Sequence, residues 1–148
     1  MFTDSHTHLY LKEFDNDLEI VINDALKKKV NRFLLPNIDL HTLPELISVH
    51  KKYKDFVFPM IGLHPCSVSK TYLKDLEKLY KYIEKFPFIA IGEVGIDLYW
   101  ETNMLNEQKI AFQTQINWAK IHKLPLIIHS RNSFDEIYTI MKQEDIGN

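Results

Sequence analysis

The segment Phe88-Ile-Ala-Ile-Gly-Glu-Val-Gly-Ile-Asp97 (FIAIGEVGID) gives the clearest indication of the fold. Its first part, Phe88–Gly92, is short and almost wholly apolar, which predicts a β-strand with both faces buried. A carboxylate, Glu93, follows this strand directly. An acidic side chain at the end of a buried strand is costly unless it is paired or bound to a cation. The segment therefore predicts a buried strand that ends at a polar site.

The same alternation of short apolar strands and amphipathic helices extends in both directions from this segment. The predicted strands are Phe2–Asp4, Arg32–Pro36, Phe56–Gly62, Phe88–Gly92 and Leu126–His129. Helices are predicted over 16–29, Thr42–Tyr53, Leu73–Ile83 and Leu105–Ala119, and a fifth begins at Ser133, with Thr42–Glu45 and Ser133–Glu136 as capping boxes. Five such units predict an α/β fold with a parallel sheet, either open and doubly wound or closed into a barrel.

The length of the chain indicates how much of a complete barrel it can form. A TIM (β/α)8 barrel takes about 250 residues. The chain has 148 residues, so it supplies about five of the eight βα units. We expect one domain over residues 1–148, the N-terminal portion of a barrel, that stops before a sixth strand.

Composition restricts the class of protein. A hydrophobic share of 45% and a charged share of 26% are ordinary for a soluble globular domain. The net charge of −2 lacks the basic excess of proteins that hold long nucleic acids through many phosphates. A single cysteine, Cys66, excludes an intramolecular disulfide and suits a reducing compartment. Because no signal peptide and no apolar run of membrane-spanning length is recognised, we expect a cytoplasmic location without a membrane partner.

Polar residues follow or end all five predicted strands. In a parallel barrel the carboxyl ends of the strands meet on one face, where active sites lie. We therefore expect these side chains to share one cleft, although they are far apart in the sequence. They are His6 and His8 after the first strand, Asn37 after the second, His64 after the third, Glu93 after the fourth, and His129 at the end of the fifth.

Four of these residues are candidate metal ligands. His6 and His8 lie two residues apart, so on an extended backbone both imidazoles face the same side and can bind one cation. Asp4 beside them can orient a ligating imidazole. The two oxygens of Glu93 could bridge two cations, or Glu93 could form an ion pair at the barrel rim. A His that follows an apolar run is more often a hydrogen-bonded core residue than a metal ligand. For His129, only its expected place in the cleft favours metal binding.

Three further residues are candidates for roles around the metal. His64 could contact a substrate oxygen, or it could brace the loop that Pro65 stiffens. Arg131 could bind an anionic oxygen such as phosphate through both arms of its guanidinium, or pair with a carboxylate at the rim. Asp97 is expected to orient a ligand or a loop backbone. Cys66 has no assigned base, so we do not expect it to act as a nucleophile.

Four motifs together resemble the TatD family of metal-dependent deoxyribonucleases, within the amidohydrolase-type TIM barrels. They are DSHTHL (residues 4–9), GLHP (62–65), AIGEVGID (90–97) and LPLIIHSR (124–131), and the spacing of Gln108, Phe112 and Gln115 is also similar to that family. The resemblance implies a TIM barrel that uses two or more divalent cations, Mg²⁺, Zn²⁺ or Mn²⁺, to hydrolyse phosphodiester bonds in DNA or oligonucleotides.

The resemblance also implies roles for individual residues. His6 and His8 would hold one cation, and His129 would hold the second. Glu93 would bridge the two cations and would be the catalytic residue of this part of the chain. The family has a further His after strand six and an Asp after strand eight, and both positions lie beyond Asn148.

Two alternatives stay open. One is an amidohydrolase that acts on a C–N bond. Many such barrels carry a modified Lys after strand four, and Glu93 stands at that position here, which favours the phosphodiesterase. The other is a catalytically incomplete metal-binding fragment or a subunit of a split barrel. An incomplete barrel exposes strand edges and apolar helix faces, so it should self-associate.

Overall fold

The computed structural model describes residues 1–100 and 102–145, an α/β fold in which strands and helices alternate. Two short 3-10 turns, Lys12–Phe14 and Pro65–Ser67, lie in the connections. The elements are β1 Phe2–Asp4, α1 Leu18–Lys27, β2 Val30–Leu35, α2 Leu43–Lys52, β3 Val57–Pro59, α3 Tyr72–Ile83, β4 Ile91–Asp97, α4 Leu105–His122, β5 Leu126–Arg131 and α5 Phe134–Gln143.

All strand pairs are parallel, and the strands are arranged in the order of the sequence. β1, β2 and β3 form one sheet, and β4 and β5 form a second. A bridge between Ile61 and Ile91 joins the two sheets, with hydrogen bonds from Ile61 N to Ala90 O (3.1 Å) and from Gly92 N to Ile61 O (2.8 Å). Doubly wound sheets reverse their strand order, whereas barrels keep it. The order therefore favours the barrel, and its eightfold closure stays a prediction.

Strand β4 is the most deeply buried element. All seven of its residues are buried, including Glu93 and Asp97. The predicted strand Phe88–Gly92 was therefore placed too early, because β4 covers Ile91–Asp97. The carboxylates did not end the strand, since imidazoles from other parts of the chain pair with them there. The fifth strand likewise continues past His129 to Arg131.

Both predicted capping boxes are wrong. The side chain of Thr42 does not cap α2, and Asp39 Oδ1 accepts hydrogen bonds from the amides of His41 (2.9 Å) and Thr42 (2.8 Å) instead. The hydroxyl of Ser133 donates to Ile96 O (2.6 Å) rather than capping α5. A buried carbonyl oxygen without a donor is costly, so this contact with β4 takes precedence over the cap.

The outer edges of the sheet are unpaired within the described residues. β1 and β5 each pair with one neighbouring strand there. Such edges can pair with further strands, so the predicted self-association stays a prediction. Within residues 1–100 and 102–145, no helix has both the length and the apolar character needed to cross a lipid bilayer.

Candidate metal centre

Glu93 lies at the centre of a cluster of four imidazoles from three parts of the chain. Its Oε2 is 2.9 Å from His6 Nε2 and 4.0 Å from His8 Nε2. Its Oε1 is 2.9 Å from His129 Nδ1 and 3.9 Å from His64 Nε2. Each carboxylate oxygen therefore faces a different pair of imidazoles. Each of the two resulting three-residue groups could hold one metal ion.

The ionisation of Glu93 suits this role. Burial by itself would raise the pKa of its carboxyl group. The hydrogen bond with His129 and the surrounding imidazoles outweigh the burial and lower the pKa below its ordinary value. Glu93 is therefore an anion at neutral pH, as a metal ligand must be.

Tyr10 sets the tautomer of His8. The hydroxyl of Tyr10 donates its only proton to Pro36 O (2.7 Å), so its oxygen accepts a hydrogen bond from His8 Nδ1 (2.9 Å). Burial and the neighbouring His6 lower the pKa of His8, which keeps its ring neutral. The proton of the neutral ring is then on Nδ1, and the lone pair of Nε2 faces Glu93. This is the form in which an imidazole binds a metal.

The contact between Tyr10 and His8 can be tested by substitution. We expect Tyr10→Phe to lower the affinity for a divalent metal about tenfold, because removal of a group that orients a ligating His typically has this effect. The affinity can be measured by competition with a chromophoric chelator. Tyr82→Phe, a change at a partly exposed tyrosine of α3, is the matched control and should leave the affinity unchanged. Equal affinities for the Tyr10 and Tyr82 variants would contradict the role of Tyr10.

His129 lies between two carboxylates. Its Nδ1 is 2.9 Å from Glu93 Oε1, and its Nε2 is 2.9 Å from Asp97 Oδ2. The hydrogen bond with Glu93 is the larger cause of the raised pKa of His129, and the contact with Asp97 adds to it against the effect of burial. A cation that bound at Nδ1 would replace a proton there, while Asp97 would still hold Nε2 and the orientation of the ring.

His64 has a different hydrogen-bonding pattern from the other three imidazoles. Its Nδ1 accepts a hydrogen bond from the amide of Cys66 (3.1 Å). Burial lowers the pKa of His64 to about 4, so the ring is neutral and its proton lies on Nε2. That nitrogen is 3.1 Å from His129 Nδ1 and points into the cluster. Distance alone makes His64 a candidate ligand, but an Nε2–H group is a donor that suits an anionic substrate oxygen.

Asp97 connects the cluster to the loop after β4. One of its oxygens contacts His129, and the other accepts hydrogen bonds from the amides of Tyr99 (2.9 Å) and Trp100 (2.8 Å). Burial would raise the pKa of Asp97, but these amides and His129 lower it to about 2. The guanidinium carbon of Arg131 lies over the rings of Tyr99 (4.4 Å) and Trp100 (5.5 Å).

Two buried glutamines of α4 hold the backbone beside the cluster. The side-chain amide of Gln108 bonds to Asp97 N (2.8 Å) and O (3.2 Å), and that of Gln115 bonds to Leu63 N (2.7 Å) and O (3.2 Å). Each glutamine thus satisfies both backbone groups of one residue, Asp97 at the end of β4 or Leu63 in the connection after β3. Leu63 precedes His64 and Asp97 contacts His129, so both glutamines support the side of the cluster that contains His64 and His129.

The structure brings together most of the residues predicted from the sequence. His6, His8, His64, Glu93 and His129 form one cluster, and Asp97 contacts it. Asp4 Oδ1 accepts a hydrogen bond from the backbone amide of His6 (3.2 Å). Asp4 therefore holds the backbone at His6 rather than the imidazole ring. Arg131 lies on two aromatic rings beside the cluster.

Sequence reasoning missed Tyr10 and the part played by the two glutamines. Tyr10 lies two residues after His8, in the same spacing that relates His8 to His6. That spacing was the one available signal for Tyr10. The glutamines carried a signal as polar residues on the buried side of α4, at positions 108 and 115.

Comparison with known proteins finds relatives among TatD-related proteins and metal-dependent hydrolases. The family model described as TatD related DNase matches residues 3–148. The uncharacterized metal-dependent hydrolase YabD of Bacillus subtilis is 35% identical over 97% of this chain and 56% of its own length. The human protein named deoxyribonuclease TATDN3 is 30% identical over 95% of this chain and 56% of its own.

A solved structure is similar in its backbone as well. The crystal structure of YjjV, a TatD homologue from Escherichia coli K12, has a TM-score of 0.90 and 27% sequence identity. The match covers 98% of this chain and 56% of YjjV. The chain therefore spans little more than half the length of the relatives that it matches.

Proposed function

The chain belongs to the TatD-related DNase family, and we propose that it carries most of the metal ligands of a divalent-metal-dependent phosphodiesterase that hydrolyses DNA. One observation supports the proposal above all others. The two oxygens of Glu93 face two different pairs of imidazoles, His6 with His8 and His64 with His129. A carboxylate in this position can bridge two cations, and paired cations are the usual means of phosphodiester hydrolysis.

The donor set fits divalent metal ions. His6, His8 and one oxygen of Glu93 would hold the first cation, and His129 with the other oxygen would contribute to the second. When bound, such ions lower the pKa of a water molecule and offset the charge that develops on the scissile phosphate. Imidazole nitrogens suit Zn²⁺ and Mn²⁺, whereas Mg²⁺ prefers oxygen ligands, so we propose a metal from these three.

The remaining residues position the ligands and the substrate. Tyr10 holds the ring of His8, and Asp97 holds that of His129, so neither ring has to reorient when the substrate binds. The Nε2–H group of His64 can donate a hydrogen bond to a non-bridging phosphate oxygen. Arg131 lies at the end of β5 on the same side and can contact a second phosphate oxygen.

The proposed reaction can be tested with a labelled DNA substrate. A 5′-labelled DNA oligonucleotide should be shortened by the purified protein when Mg²⁺, Mn²⁺ or Zn²⁺ is supplied, and a chelator should reduce cleavage to the level without protein. The reaction is followed on a denaturing gel. A preparation that contains bound metal but leaves DNA intact with all three ions would contradict the proposal.

A further inference from the structure

Two large aromatic side chains are exposed directly beside the metal centre. Tyr99 is 54% exposed and Trp100 is 67% exposed, and their rings are perpendicular with centroids 4.7 Å apart. Tryptophan side chains are highly buried on average, so the exposure of Trp100 is unusual. Together with Arg131, whose guanidinium lies over both rings, they form what we call the aromatic platform.

The platform is fixed relative to the metal centre. A single carboxylate, Asp97, separates the ring of His129 from the backbone of the platform. One oxygen is 2.9 Å from His129 Nε2, and the other is 2.8 Å from the amide of Trp100. The backbone of Asp97 is itself held by Gln108. A phosphate at the metal centre would therefore have the platform within the reach of an adjacent nucleotide.

The contacts of Arg131 occupy the face of its guanidinium and leave the N–H edge for a phosphate. The flat face of the guanidinium lies against Tyr99 and Trp100. Within residues 1–100 and 102–145, no carboxylate lies within 4.0 Å of its nitrogens. A guanidinium that stacks through its face can still donate through its N–H edge to a phosphate oxygen.

We propose that Tyr99, Trp100 and Arg131 form a binding site for a nucleobase of the DNA substrate, an inference that rests on the proposed function. An exposed ring plane beside a cation is what a base needs for stacking, and every base offers a π face. Only a base whose face is accessible can stack in this way, so the site takes an unpaired base or one at a strand end. The stack would place the adjoining phosphodiester at the metal centre.

Fluorescence tests the site without the reaction. Trp118→Phe leaves Trp100 as the only tryptophan. In the presence of a chelator, single-stranded oligothymidylate should quench this fluorescence and bind about tenfold more tightly than a chain of equal length without bases. Equal quenching and equal affinity for the two chains would overturn the proposal. The difference in fluorescence between the natural sequence and Trp100→Ala gives the same readout if the Trp118 variant does not fold.

A kinetic test separates this proposal from the proposed function. Trp100→Ala should raise KM for the oligothymidylate about tenfold and should change KM for the base-free chain much less. The matched control Tyr82→Ala, at the end of α3 that precedes β4, should change neither. Unchanged KM in the Trp100 variant would overturn the base site alone. Failure of the natural sequence to cleave either chain would overturn the proposed function, and the fluorescence result would then decide the base site.

Discussion

Glu93→Gln is expected to remove most of the divalent metal that the purified protein holds and to slow DNA cleavage at least about a thousandfold. The change keeps the shape of the side chain and removes its negative charge. One oxygen of Glu93 lies 2.9 Å from His6 Nε2 and the other lies 2.9 Å from His129 Nδ1, so a single substitution affects both proposed cations. Metal ions contribute several kcal/mol to such reactions, and each 1.4 kcal/mol corresponds to a factor of ten in rate.

The metal content after dialysis, measured by mass spectrometry, checks the first part of this prediction, and gel assays check the second. Glu77→Gln is a suitable control because Glu77 is exposed on α3 and pairs with Lys81 at the surface. It should retain the metal and the activity of the natural sequence. Circular dichroism should show both variants folded. A Glu93 variant with unchanged metal content would contradict the assignment of Glu93 as a bridging ligand.

The fold was largely predictable because its signals are local. Buried strands and amphipathic helices are visible in windows of a few residues, and all five strands and five helices were predicted in order. The bounds of β4 were not predictable in the same way. Glu93 and Asp97 lie within a fully buried strand because His129 from β5 lies between their carboxylates. That pairing joins residues more than thirty positions apart, so no local pattern shows it.

The cluster of ligands was predictable for a different reason. Parallel strands place their carboxyl ends on one side, so His6, Glu93 and His129 could be expected to meet once the strands were recognised. Of the groups that hold these ligands, Asp97 was expected from the sequence, whereas the contacts of Tyr10 and Gln115 were not. Tyr10 reaches Pro36 and Gln115 reaches Leu63, across 26 and 52 positions of the sequence. Such contacts depend on the finished packing of the helices and loops, which short-range patterns do not encode.

The close approach of β4 to β5, which brings Glu93 to His129, depends on Gly95. This glycine pairs with His129 and has a φ of +144°, a conformation that side-chain-bearing residues rarely adopt. A Cβ atom added at Gly95 would overlap the carbonyl oxygen of His129 and lie 3.0 Å from its carbonyl carbon. Both atoms belong to the backbone, so the clash cannot be relieved by a change of rotamer. The strands would have to separate at the metal centre.

Gly95→Ala is therefore expected to lower the free energy of unfolding by about 3 kcal/mol or more, since backbone strain and overpacking each cost about 1–3 kcal/mol. For a chain of this size the melting temperature should fall by about 10 °C. Lys123→Gly is a control that is expected to change the free energy of unfolding in the opposite direction. Lys123 ends α4 with a φ of 54°, so glycine should stabilise the fold there by about 1 kcal/mol. Urea denaturation of the metal-free proteins measures both changes. An alanine variant that unfolds at the same urea concentration as the natural sequence would show that the strands can separate at Gly95 without loss of packing.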